Sequence, residues 1–414
     1  MRTRSLSLWT AGLLSLIAVS VPVQAEIVKK VSVEGIYDNN AFKSSDGASD
    51  LISQASFYLA RRDTSARSGV DYYYNGDVDL FARSNQRHFT AHHVGVSYIR
   101  QLGKEKNLLA AGWNFGGRWD RTVYNYYNDV DGSLYVNFKL NLPNATFLRM
   151  GYRMNAKKYL HLDASSFREH AVSLTYNVSM PTRTALKADL SYGYKGYTMS
   201  SLTTAASAPP PVSGPGSGMG GRMERGMRHG GFGPFAQLFG GTTSDDQPAA
   251  LQSGSSDKSQ ITLSLRVSQS LTPSTGANVQ YLYRVNPLTT GRYQSGLGTS
   301  YAENDDLFDD RYDYHGREIS GGFSQLLPLG SKLTVDVGYL IKNYLNKPAL
   351  DLNGTSTGQD RRDRKRYLSA EIGMPIGMNY DLNLWYVYGT NVSNDPFYAY
   401  RGNHAFSVGI SREF

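Results

Sequence analysis

Hydrophobic and polar residues alternate along most of this chain with a period of two. Leu333, Val335, Val337, Tyr339 and Ile341 alternate with Thr334, Asp336, Gly338, Leu340 and Lys342, and Ile261, Leu263, Leu265 and Val267 alternate with Thr262, Ser264, Arg266 and Ser268. Successive side chains of an extended strand point to opposite faces, so each such segment has one apolar and one polar face. Segments of strand length fall near 28–37, 52–61, 67–83, 92–101, 107–119, 132–140, 145–155, 168–178 and 184–198. After an interruption they resume near 259–270, 274–285, 315–326, 331–344, 364–375, 378–389 and 403–414. The pattern predicts an all-β, antiparallel meander of about sixteen strands, within roughly 14 to 18.

The links between segments have a parity of their own. Counting back from the last strand, every second link is short: PIGMN, LPLGS, TPS, MPTRT, LPNA, LGKEK and RRDTSAR. The others, 390–402, 345–363, 286–314, 199–258, 156–167, 120–131 and 38–51, are longer, with 84–91 the weakest case. A soluble sandwich has no reason to keep that parity, whereas a meandering membrane barrel joins its strands by short turns at one end and long loops at the other.

The last stretch, Asn403 to Phe414, reads NHAFSVGISREF, with Phe406, Val408, Ile410 and Phe414 on one face and Ala405, Ser407, Gly409, Ser411 and Glu413 on the other. It resembles the closing strand of bacterial outer-membrane β-barrels. The resemblance implies a porin-like transmembrane barrel with periplasmic turns, extracellular loops and an insertion signal made by Phe406, Val408, Ile410 and Phe414 and read by the barrel-assembly machinery. Arg412 stands where that family usually has an aromatic or apolar residue. Its place is therefore expected near the membrane interface, where a lipid-facing Arg costs about 0 to 1 kcal/mol rather than the 2 to 4 of the midplane.

Composition narrows the setting. Arg2 and Arg4, an apolar core from Leu8 to Val21 and small residues before position 25 read as a secretory signal peptide, 1–25, which leaves 26–414 for the barrel. Its removal takes the formal charge from +8 to +6, too mild an excess to suggest nucleic acid. There is no cysteine, which excludes disulfides, thiolate metal sites and haem attachment through Cys. Beyond the signal peptide no run reaches the ~18 apolar residues of a membrane-spanning helix. Tyr, at 30, outnumbers Phe at 16 and Trp at 4, as suits membrane interfaces.

Residues 199–258 concentrate Gly, Pro, Ser and Met and read as a long low-complexity extracellular loop. Met219, Met223 and Met227 recur there at helical spacing, a pattern a soft copper ion accepts but one that a flexible loop with a short amphipathic turn explains as well. His88, His92 and His93 cluster near one loop, and His161, Asp163 and Ser165 on another. Neither group matches a motif of outer-membrane enzymes, so no catalytic, metal or cofactor role is assigned. An acidic run, Glu303, Asp305, Asp306, Asp309 and Asp310, faces a basic one, Arg361, Arg362, Arg364, Lys365 and Arg366. The basic run opens a strand at its extracellular end, where it would meet lipopolysaccharide phosphates unless the two runs pair with each other.

Assigning polar faces to the interior gives a charge map. Arg118, Lys139, Arg149, Arg153, Lys187, Lys195, Arg266 and Arg284 form a basic arc on strands five to eleven. Glu34, Asp71, Asp77, Asp79, Glu318, Asp336, Glu371 and Asp381 form an acidic arc that becomes continuous when the last strand meets the first. Asp189 and Lys342 interrupt the pattern. The chain is expected to be a non-enzymatic diffusion channel for small polar solutes or ions. The first strand follows the cleavage site so closely that no amino-terminal plug or hatch is expected. Two other readings stand beside it: a sheath for a partner such as a multihaem cytochrome, or a surface-binding adhesin barrel. Outer-membrane lipids and lipopolysaccharide are the expected contacts, together with a homo-oligomeric or periplasmic partner.

Overall fold

The computed structural model describes residues 24–197 apart from 42 and 44–46, then 257–288 and 310–414. Its strands are β1 (Gln24–Asp38), β2 (Asp50–Thr64), β3 (Ser68–Phe81), β4 (Phe89–Leu102), β5 (Asn107–Asp120), β6 (Asp129–Leu142), β7 (Thr146–Tyr159) and β8 (Phe167–Ser179). The second half comprises β9 (Thr184–Tyr197), β10 (Lys258–Ser270), β11 (Thr275–Leu288), β12 (Tyr314–Leu326), β13 (Lys332–Leu350), β14 (Ser356–Pro375), β15 (Tyr380–Ser393) and β16 (Tyr400–Glu413). Each pairs with its neighbour in chain order and β1 pairs with β16, which closes the barrel. Each expected segment coincides with one strand. The expected signal peptide lies outside the described residues except for Gln24 and Ala25, which begin β1, and loop 199–258 lies outside them except for Asp257 and Lys258.

Closure follows from the apolar face. Antiparallel partners project to the same side, so the register Phe57↔Val31↔Arg412↔Tyr380 carries one face across the seam between chain ends. That face exposes Phe57, Trp113, Leu190, Val279, Val337 and Val408, each more than a third accessible, around the whole circumference. So large an apolar surface belongs in lipid. In lipid every backbone N–H and C=O must be bonded within the protein, and a sheet does this only when it has no free edge.

Polar rims bound the apolar band. On the outward face at the loop end, the hydroxyls of Tyr74, Tyr152 and Tyr386 lie 2.7, 2.8 and 2.8 Å from Nδ1 of His92, His170 and His404. Such wet-tipped aromatic pairs mark an interface. At the turn end the Arg412 guanidinium lies 5.0 Å from the Tyr380 ring centroid and 4.2 Å from that of Phe414. Arg412 thus departs from the usual pattern at the rim, as expected, with aromatic rings covering its charge.

Short turns are built from left-handed residues: Gly103, Lys106, Asn144, Ala145, Arg183, Leu329, Gly330 and Gly377 all have positive φ. The seam has its own knot at the loop end. Asn403 Nδ2 donates to Asp38 Oδ1 (2.6 Å) and the His404 amide to Asn39 Oδ1 (2.7 Å). At the other end the Phe414 amide donates to the Lys29 carbonyl at 2.9 Å.

One expected loop is mostly strand. Residues 345–363 were a long link by their Pro and Gly content, yet β13 runs on to Leu350 and β14 starts at Ser356. Bulges between Asn343 and Leu350 absorb Pro348, and Asn346 takes φ +55. Asp351 Oδ1 closes the turn by accepting the amides of Asn353 (2.9 Å) and Thr355 (2.8 Å).

Two outcomes test this architecture. A cysteine at Ser356 is expected to react with an impermeant thiol reagent on intact cells and one at Ser331 to stay unlabelled; the reverse pattern would invert the topology. Deleting Phe414 removes both the terminal aromatic and its bond to Lys29, and is expected to leave the chain periplasmic or degraded, as read by membrane fractionation.

Candidate functional site

The candidate site is the inward wall. The strand registers set all sixteen residues of the expected arcs on the polar face, and bring some of them side by side. Lys139 lies directly opposite Arg149 on the neighbouring strand, and Lys187 directly opposite Arg266. Like charges in that position destabilise a sheet. Partial compensation comes from the Phe147 ring 4.4 Å from Lys139 Nζ, from Gln280 Oε1, which accepts from Arg266 Nε at 2.9 Å, and from Asp189, 2.8 Å from Lys187. Arg149, Arg153 and Arg266 remain exposed on the inward face. Arg284 lies at the Tyr314 hydroxyl, 2.5 Å away.

On the other wall the carboxylates stand apart. Glu34 is opposite Gly409, Asp336 opposite Gly322 and Ser369, Glu371 opposite Thr334, and Asp381 opposite Ser411. Glu318 accepts from the Tyr367 hydroxyl at 2.6 Å, Asp77 from Asn75 at 2.7 Å and Asp79 from Gln54 at 3.2 Å. Asp71 has a basic partner that the sequence map lacked, Arg62, whose Nε donates to it at 3.1 Å.

Further inward charges concentrate toward the loop end. Arg118 forks onto Asp120 with two 2.7 Å bonds, Lys157 lies 3.6 Å from Asp129, and His93 Nε2 lies 3.0 Å from Asp131. Extending the alternation up to three residues past the expected strand ends would have found Asp120, Asp129, Asp131 and Lys258. The lumen wall between Tyr58, Tyr73, Asn75, His93 and Asn114 forms a hollow of about 460 Å³.

Loops fold into the barrel mouth. Tyr124 and Tyr127 pack with Tyr159, Leu162, Phe167 and Tyr197, while Ile36, Ile52 and Phe81 make a second cluster with Phe89. Beside the first cluster, with which they share Tyr197, residues 310–313 lie against β8, β9 and β10. Asp310 Oδ2 accepts from Lys195 Nζ (2.8 Å) and the Tyr197 hydroxyl (2.8 Å). Tyr312 donates to Glu169 at 2.7 Å, Arg311 also binds Glu169, and Lys258 binds Asp313. Gln260 Nε2 donates to the Arg311 carbonyl at 2.6 Å. Gly193 makes room: a Cβ there would overlap the Tyr312 hydroxyl.

The acidic run therefore pairs, through Asp310, with the barrel wall; Glu303, Asp305, Asp306 and Asp309 lie outside the described residues, as do Met219, Met223 and Met227. Nor do the histidines converge. His92 faces out and His93 in, while His88 Nδ1 accepts the Phe81 amide at 3.0 Å.

No protein-family model and no curated protein sequence matches the chain. Solved barrels resemble it in fold. OccAB1 of Acinetobacter baumannii is 10% identical with a TM-score of 0.50, over 94% of this chain and 96% of that one. CdiB from Acinetobacter baumannii is 9% identical with a TM-score of 0.50, over 94% of this chain and 60% of that one, so this chain spans three fifths of its length. The chain is thus a closed sixteen-stranded antiparallel β-barrel whose fold is similar to that of these two proteins.

The docked turn has a defined pH response. Burial alone would raise the Asp310 carboxyl, but Lys195, Lys258 and the Tyr312 amide outweigh it and hold it well below the usual carboxylate range. A depressed carboxylate stabilises docking above its free value, near pH 4, and loses that contribution as pH falls further. Hydrogen-exchange protection at 310–313, taken relative to the intrinsic rate at each pH, is therefore expected to hold down to about pH 4 and to fall below it. Asp310→Asn leaves Lys195 buried without its anion, at a cost of about 3 to 5 kcal/mol, and should speed that exchange at neutral pH while the barrel stays heat-modifiable on gels.

Proposed function

We propose that this protein is an outer-membrane channel for passive diffusion of small polar solutes or ions, with a basic wall on β5–β11 facing an acidic wall on β1–β3 and β12–β15. The observation that carries the reading is the pair of like-charge contacts, Lys139 with Arg149 and Lys187 with Arg266, on an inward wall where Arg149 and Arg266 are exposed. Repulsion of this kind costs stability and has no packing benefit. Facing a wet lumen, it sets a positive potential that draws anions to one side, while the carboxylates draw cations to the other. A transverse field between such walls orients dipolar solutes and disfavours apolar ones.

Among the described residues, the turn at 310–313 and the Tyr124 cluster pack into the loop-end mouth. The closed barrel with its apolar outer face, together with the terminal strand, supports a place in the outer membrane of a Gram-negative-type bacterium, with the loops outside and the turns in the periplasm.

Planar-bilayer recording tests this. The wild type is expected to give discrete ionic steps, and the combined variant Arg149→Glu, Arg153→Glu and Arg266→Glu to shift selectivity toward cations several-fold at 0.1 M salt. The shift should shrink at 1 M, where the screening length falls from about 10 to about 3 Å. A well-inserted protein that stays electrically silent would leave the sheath reading the better one.

A further inference from the structure

We propose that the outer wall of β12–β14 binds the phosphorylated head group of a lipopolysaccharide through Arg317, Arg362, Arg364 and Arg366. Strand alternation divides the basic run found in the sequence. Arg361 turns inward and is buried against Asp363, and Lys365 also faces inward, whereas Arg362, Arg364 and Arg366 all face outward and are exposed. Arg317 joins them from β12, because Arg317 and Arg364 both pair with Ile341 on the strand between them. At about 3.4 Å per residue and 4.8 Å between strands, the four guanidiniums share a patch of about 14 by 10 Å. None of the four has an ion-pair partner among the described residues. Asp360, two residues beyond Arg362, is the nearest acidic residue on the outward face of β14.

Depth in the membrane argues for a lipid and against a soluble anion. Leu368 pairs with Tyr388, which pairs with His404, a member of the loop-end Tyr–His girdle. Arg366 is the next outward residue beyond that level, so the patch begins where head groups begin. Beneath it lie Ile319, Val337 and Phe323, all exposed on the same face, a floor for acyl chains. The Tyr339 ring lies 5.9 Å from the Arg366 guanidinium carbon and that of Tyr283 5.5 Å from Arg317. Rings beneath these guanidiniums direct their planar donors outward, the fork that phosphate oxygens fit. Two basic residues at the turn end differ from these: Arg61 is bonded to Asp63 and Arg412 is stacked between rings. A glycolipid with several phosphates on one head group satisfies four cations at once, which a single phosphodiester does not.

Full-length protein in detergent, titrated with purified lipopolysaccharide, tests the proposal. The wild type is expected to bind in a salt-dependent manner, and Arg362→Gln, Arg364→Gln and Arg366→Gln combined to weaken binding at least ten-fold. Heat-modifiability and single-channel conductance should be unchanged, since none of the three faces the lumen, so failure here is separable from failure of the channel reading. Lys29→Gln with Arg100→Gln, at the turn end, should leave binding intact. Equal binding by the triple variant, equal binding of dephosphorylated lipopolysaccharide, or equal binding of phosphatidylglycerol vesicles would each overturn it.

Discussion

Everything in this barrel depends on leaving no backbone hydrogen bond unmade in the hydrocarbon layer. The meander satisfies all its neighbours in sequence order, and only the two chain ends meet across a long separation. That seam is held by the ladder between β1 and β16, by the Asp38, Asn39, Asn403 and His404 knot at one rim and by the Phe414 amide on Lys29 at the other. Phe414 is thus part of the closure. Alternation then follows, because a closed sheet in lipid has one apolar face and one wet face, and a slip by one residue would exchange them.

Given a wet interior, charge behaves differently from charge in a core. In the turn-side half, Lys139, Arg149, Lys187 and Arg266 tolerate their mutual repulsion because water screens them, whereas near the loop end Lys195 and Asp310 are almost fully buried and must be paired. In the proposed channel the same chemistry serves two purposes at two depths: a field along the lumen, and a lock that holds the 310–313 turn against β8, β9 and β10. On the outer wall the constraint reverses again. There the Arg362, Arg364 and Arg366 row is placed by alternation beyond the girdle, where cations meet head groups and not acyl chains.

Much of this was legible in the sequence because period and parity are local properties. Leu333 to Ile341 and Ile261 to Val267 announce their faces without reference to any partner, and links such as LPLGS and PIGMN announce the turn end by Pro, Gly and left-handed residues. Contacts between distant segments were not legible. Glu169 with Arg311 and Asp310 with Lys195 join residues more than a hundred positions apart, and no period carries that information. The extension of β13 and β14 was hidden by Pro348 and Gly354, which signal a loop until a bulge and an Asx turn accommodate them. Strand ends were read short, which is why Asp129, Asp131 and Lys258 were absent from the charge map.

The central claim is a two-residue alternation between lumen and lipid, and the absence of native cysteine makes it directly measurable. Single cysteines placed in turn at 262 to 268 in the bilayer-reconstituted protein would be exposed to a charged, water-soluble thiol reagent. Reaction at 262, 264, 266 and 268, with little at 263, 265 and 267, is the result expected. Uniform reaction along the segment, or the opposite phase, would contradict the account.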